Sequence, residues 1–186
     1  MGMRGTWFFL LFFCAAIVVA VVSSAPVQAA VQVNSALGSS VQAERVLSGL
    51  NYPSAAAFLP DGRMVILQLG GRVLLWNGKG VPSPVGTVEV EMDGERGLLG
   101  LAVDPLFEQS SRLYLFYSVD GRQRIGHAVL DVAGATLGPV TDLVTGLSAD
   151  RDHNGGGIAF GPDGFLYFGT GDSGCSRSRP PGDGEN

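Results

Sequence analysis

From residue 31 onward the apolar residues come in short runs, each ended by glycine, proline or aspartate. No stretch there keeps a helical period beyond about two turns. Three segments repeat one layout. The first is Ala57-Phe58-Leu59-Pro60-Asp61-Gly62-Arg63-Met64-Val65-Ile66-Leu67, and the third is Ala159-Phe160-Gly161-Pro162-Asp163-Gly164-Phe165-Leu166-Tyr167-Phe168-Gly169. Between them Leu101-Ala102-Val103-Asp104-Pro105 leads through a longer loop to Arg112-Leu113-Tyr114-Leu115-Phe116-Tyr117. Each is a strand, a proline-containing turn and a returning strand. In Pro-Asp-Gly the proline presets φ, the aspartate can bond its own backbone, and the glycine accepts positive φ. The returning strands are apolar on both faces, which predicts that they lie inside stacked sheets.

Ala57, Ala102 and Ala159 recur at spacings of 45 and 57 residues. Further strands are predicted over residues 72–76 after Gly70-Gly71, 85–92 before Asp93-Gly94, and 126–132 after Asp120-Gly121. About four short strands per period of 40 to 50 residues is the layout of propeller blades. Three unrelated β-hairpins are the alternative, against which the shared Ala-Phe before two of the turns weighs. The expected fold class is all-β, a β-propeller of which about the first three blades are present. Each blade needs two neighbours and closure takes at least about four, so the chain is expected to be roughly the first half of a longer protein.

Composition adds an address and removes several function classes. Arg4 followed by sixteen apolar residues at 7–22, then Val27 and Ala29 at the −3 and −1 positions, predicts a signal peptide over residues 1–29. Sixteen residues fall short of the roughly 20 needed to span a bilayer, which favours cleavage over a retained anchor. Phe13 argues against a lipoprotein signal at Cys14. The predicted layout continues with a lead-in at 30–45, a partial propeller at 46–175 and a Gly/Pro/Ser/Arg-rich loop at 176–186, with a periplasmic or secreted location. The 28 glycines and 10 prolines fit many tight turns. Net charge is −5 without a basic cluster, which leaves no footprint for nucleic acid. Once Cys14 is removed Cys175 is alone, either free or paired with a cysteine elsewhere. No paired Cys or His spacing of the zinc kind occurs.

There are two histidines. His127 lies in an alternating strand, where packing is the default. His153 follows Asp150-Arg151-Asp152 and precedes Asn154 and Gly155-Gly156-Gly157; glycines at a strand start let backbone or ligand approach closely. Asp172 ends the next strand in Gly169-Thr170-Gly171-Asp172-Ser173-Gly174. If Pro162-Asp163-Gly164 reverses the chain, Asp172 returns toward His153. A carboxylate on one imidazole nitrogen fixes the tautomer and raises the basicity of the other. Capping of a turn is the other reading of Asp172. Gly171-Asp172-Ser173-Gly174 is similar to a serine-protease nucleophile segment, but only one hairpin separates His153 from Ser173, and Cys175 stands where that motif has glycine.

Gly94-Glu95-Arg96-Gly97-Leu98-Leu99-Gly100-Leu101-Ala102-Val103-Asp104-Pro105 resembles the signature segment of the glucose/sorbosone dehydrogenase family. Asp152-His153-Asn154-Gly155-Gly156, Phe160-Gly161-Pro162-Asp163-Gly164 and Gly171-Asp172 match that family in the same order. So does Gly49-Leu50-Asn51-Tyr52-Pro53 ahead of the first turn. The likeness covers about residues 46–173.

The family consists of soluble aldose dehydrogenases dependent on pyrroloquinoline quinone (PQQ), built as six-bladed propellers. The resemblance implies that His153 takes the proton of the anomeric hydroxyl while hydride passes to PQQ, giving a lactone. It implies that Asp172 orients His153, and that Glu95, Asp152 and His153 border the quinone. Glu95 departs from the best-studied glucose enzymes, which carry an amide there. Also implied are an aldose substrate, an electron acceptor and Ca2+, with most quinone and calcium ligands in later blades and no metal ligand in this chain. The isolated chain is therefore expected to be inactive and poorly folded. Two other functions are compatible with these motifs: a non-catalytic binding propeller of the same family, and a metal-dependent sugar lactonase.

Overall fold

Turn chemistry decides where the strands stop. In the computed structural model, which describes residues 31–33 and 41–174, both Pro-Asp-Gly turns are built alike. Asp61 Oδ1 accepts the Arg63 N–H at 2.9 Å and Asp163 Oδ1 accepts the Phe165 N–H at 3.1 Å. Gly62 and Gly164 take φ of +85° and +80°, a region open to glycine at little cost.

The chain divides into two units, residues 1–48 and 49–186. In the first, β1 (Val31–Val33) and β2 (Val41–Ala43) form an antiparallel hairpin. The predicted signal peptide, with Cys14, and Cys175 with the loop after it lie outside the described residues.

The second unit holds three antiparallel sheets in chain order. The first is a meander of β3 (Pro53–Phe58), β4 (Met64–Gln68), β5 (Arg72–Trp76) and β6 (Ser83–Thr87). The second starts with β7 (Leu98–Val103), passes the single turn α1 (Phe107–Ser110), and continues with β8 (Arg112–Val119) and β9 (Arg122–Asp131). Both β10 (Thr136–Leu137) and β11 (Thr141–Ser148) pair with β9. The third sheet is the hairpin β12 (Gly155–Phe160) and β13 (Leu166–Thr170).

The repeat is thus real in three dimensions: Ala57, Ala102 and Ala159 each hold the fifth position of the first strand of a sheet. Each first strand also has a bulge between its first and third residues, at Ser54, Leu99 and Gly156. These sheets are successive blades of a propeller. The strands predicted at 85–92 and 126–132 differ from β6 and β9. Beyond Thr87 the chain leaves the ladder to follow the end of the second sheet, where the Glu91 N–H donates to Ser118 O. At the other, ladder pairing carries β9 back through Arg122 and Gln123, which read as turn-flanking polar residues.

Packing explains the apolar doublets. On β8, Leu113, Leu115 and Tyr117 face the core shared with Val65, Leu67 and Val73 of the first sheet. Tyr114 and Phe116, on the other face, meet Phe160 at 5.0 Å and Phe168 at 6.3 Å between ring centroids. Strand β4 is likewise buried, but β13 is not: Tyr167 and Phe168 are 56% and 39% exposed. The expectation of burial fails there because no described element covers the face that carries Tyr167, and Phe116 covers Phe168 only in part.

Candidate active site

The ladders of the first two sheets close in one way. The residue before the first strand gives its carbonyl to the residue that follows the last paired partner on the second strand: Tyr52 O accepts from Leu69 N–H at 2.8 Å, and Gly97 O from Ser118 N–H at 2.9 Å. In the third sheet this closure is opened. His153 O accepts the Ser173 N–H at 3.1 Å while the next pair inward is Gly155 with Thr170. Asn154 therefore stands opposite two residues, Gly171 and Asp172. That widening turns Asp172 onto the imidazole, and His153 Nδ1 lies 3.0 Å from Asp172 Oδ1.

The same Oδ1 accepts the Gly174 N–H at 3.2 Å, so Asp172 is itself held. With Asp172 ionised, Nδ1 of His153 is the donor, and in the neutral ring Nε2 is the acceptor atom. Both side chains are about half exposed, 46% and 47%, and open to a substrate.

His153 has φ of +61°, a left-handed conformation that costs an L residue roughly 1–2 kcal/mol. Its neighbours over-determine it. The backbone N–H donates to Glu95 Oε2 at 2.6 Å, and the Glu95 N–H donates to Arg151 O at 2.7 Å. The loop before β7 is thereby tied to the loop before β12. Arg96 fixes that first loop, its Nη2 lying 2.7 Å from Asp93 and 3.1 Å from Glu91. Two glycines keep the backbones close. A Cβ on Gly94 would collide with Arg151 O, and one on Gly171 with His153 O.

Of the residues singled out from sequence, His153, Asp172 and Glu95 come together directly. Asp152 sits half-buried in the same loop, between Arg151 and His153. His127 lies apart in β9, its ring 5.9 Å from that of Tyr114 and paired across the ladder with it. The Ser173 hydroxyl donates to Ser148 O at 3.2 Å, a loop staple. Among the described residues no group of three or more His, Cys, Asp or Glu side chains could hold a metal.

Two further residues hold the site: Gln123, which carried no signal in the sequence, and Asn154, which was named there only as part of the segment around His153. Asn154, 1% exposed, closes its own loop: its Oδ1 accepts the Asp150 N–H at 3.0 Å and its Nδ2 donates to Asp150 O at 2.7 Å. Gln123, fully buried in β9, donates through Nε2 to Asn154 O at 2.8 Å and to Asn154 Oδ1 at 3.0 Å.

The three sheets and the histidine–carboxylate pair at a loop mouth define a β-propeller protein with one candidate site among the described residues. The sequence model of the family described as Glucose / Sorbosone dehydrogenase matches residues 50–183, and the chain belongs to that family. It is 34% identical over 143 residues to the aldose sugar dehydrogenase YliI of Escherichia coli, covering 72% of this chain and 38% of that one. With quinoprotein glucose dehydrogenase B of Acinetobacter calcoaceticus it shares 27% identity over 147 residues, 71% of this chain and 31% of that one. The solved PQQ-bound aldose sugar dehydrogenase of Streptomyces coelicolor superimposes with a TM-score of 0.67 at 34% identity, over 70% of this chain and 41% of that one. The chain thus spans well under half the length of these relatives.

Proposed function

We propose that the protein carrying this chain oxidises an aldose at its anomeric carbon to the lactone, with His153 as general base. The carrying observation is the 3.0 Å contact of His153 Nδ1 with Asp172, which makes Nε2 the basic atom of the ring. In this reading Nε2 takes the anomeric hydroxyl proton, Asp172 stabilises the imidazolium that forms, and the carbonyl of the lactone develops on the same carbon. PQQ, when bound, supplies the two-electron acceptor for the hydride leaving that carbon.

The quinoprotein and PQQ-bound relatives support that cofactor. The described residues suit its reacting end: Glu95, Asp152 and His153 would border it. They do not suit its carboxylates, since the cation in the His153 loop, Arg151, has its Nε 3.8 Å from Asp93. Calcium belongs to this reading only through the family resemblance. A periplasmic or secreted location follows from residues 1–29, and an external electron acceptor from the chemistry. The 186-residue chain alone should be inactive.

Dye reduction by the full-length protein, with PQQ and a panel of aldoses, tests the reading. His153→Ala should lower kcat about 10²–10⁴-fold. Turnover at the wild-type rate in that variant would remove His153 from the chemistry. Hydrolysis of a sugar lactone that persists without PQQ while metal is retained would point to a hydrolase instead.

A further inference from the structure

We propose that Gln123 is a positioning residue for His153, acting as a bolt driven from the second sheet through Asn154 into the loop of the third. The proposal rests on the reading of His153 as the base. In the first two sheets the carbonyl just ahead of the first strand is taken by the ladder, at Tyr52 and Gly97. In the third sheet the equivalent carbonyl is that of Asn154. The opened ladder has no N–H for it, and Gln123 Nε2 takes it instead, at 2.8 Å.

Both oxygens that Gln123 reaches are acceptors on one residue, so its amide can be read in one orientation only. The paired bonds to Asp150 fix the Asn154 amide in the same way. Gln123 and Asn154 are 0% and 1% exposed, so water cannot replace either partner at no cost. The bolt grips the residue next to His153, whose left-handed backbone would otherwise relax. A base displaced by about 1 Å can lose on the order of 10²-fold in rate.

In the full-length protein with PQQ, Gln123→Met keeps the volume and removes both donors. It should lower kcat about tenfold or more while the sugar KM stays within about threefold. Gln123→Glu, which sets an acceptor against two acceptors, should do the same. Phe116→Leu, at the same sheet boundary but off the bolt, is the control: it should lower Tm comparably and keep wild-type kcat.

Wild-type kcat in either folded Gln123 variant overturns the proposal, as does failure of both to fold, which would make the residue purely structural. A kcat loss in Phe116→Leu that tracks its Tm overturns it too. Failure of the underlying reading looks different, because His153→Ala would then turn over normally. With His153→Ala inactive, normal turnover in Gln123→Met sinks the bolt alone.

Discussion

His153 combines a costly backbone with four fixed neighbours: Glu95 on its N–H, Ser173 on its carbonyl, Asp172 on Nδ1, and the Gln123–Asn154 pair on the residue that follows. Glycine at 171 permits this, since any Cβ there runs into the His153 carbonyl. Gly171→Ala should therefore destabilise the protein by about 1–3 kcal/mol and lower turnover beyond what its Tm predicts, measured by urea unfolding beside dye reduction. The His153–Asp172 pair was legible in the sequence because one hairpin and its turn residues suffice to bring the two together. Gln123 was not. Flanked by Arg122 and Arg124 after an Asp-Gly turn, it reads as part of a solvated strand end. Only the placement of the third sheet against the second buries it. The grip of Glu95 was hidden for a similar reason, because its partner is a main-chain N–H that no side-chain motif encodes.

Strand β8 has one face in each sheet boundary. Leu115, fully buried in the first boundary, should cost about 2–5 kcal/mol on Leu115→Ala, read from denaturant unfolding. Tyr117 on the same face donates its hydroxyl to Asp142, whose other oxygen lies 2.9 Å from Arg124 Nη1. Burial, and then the Asp142 carboxylate, push the Tyr117 phenol above its ordinary value. A group raised on folding stabilises fully below its unfolded pKa, about 10 for tyrosine, and that contribution fades as pH rises through the folded value. Tyr117→Phe should thus cost about 1 kcal/mol at pH 7. The gap between wild type and variant should narrow in unfolding experiments above pH 10. A gap that widens with pH would contradict the assignment. Strand existence was legible here from apolar doublets. The bounds of β6 and β9 were not, since pairing partners rather than hydrophobicity set them.

Across the molecule, the repeat of 45 and 57 residues translates into sheets whose first strands share a bulge at the same position. Neighbouring sheets touch backbone to backbone: a Cβ on Gly100 would strike the Gly156 carbonyl. Gly100→Ala should separate the second and third sheets, exposing Phe116 and lowering Tm, with limited proteolysis cutting first near residues 150–154. Pattern and turn residues made the all-β repeat legible, because each blade is a local product. The exposed outer face of β13 was not, since burial depends on what packs there and not on the strand's own composition. The opened ladder of the third sheet has a further consequence for how such sites originate. Relative to its sister repeats it differs by Asn154 on one strand and Gly171-Asp172 on the other. A histidine–carboxylate pair can therefore arise in a repeat protein by small insertions at one hairpin end, with the rest of that hairpin's ladder and its bulge retained.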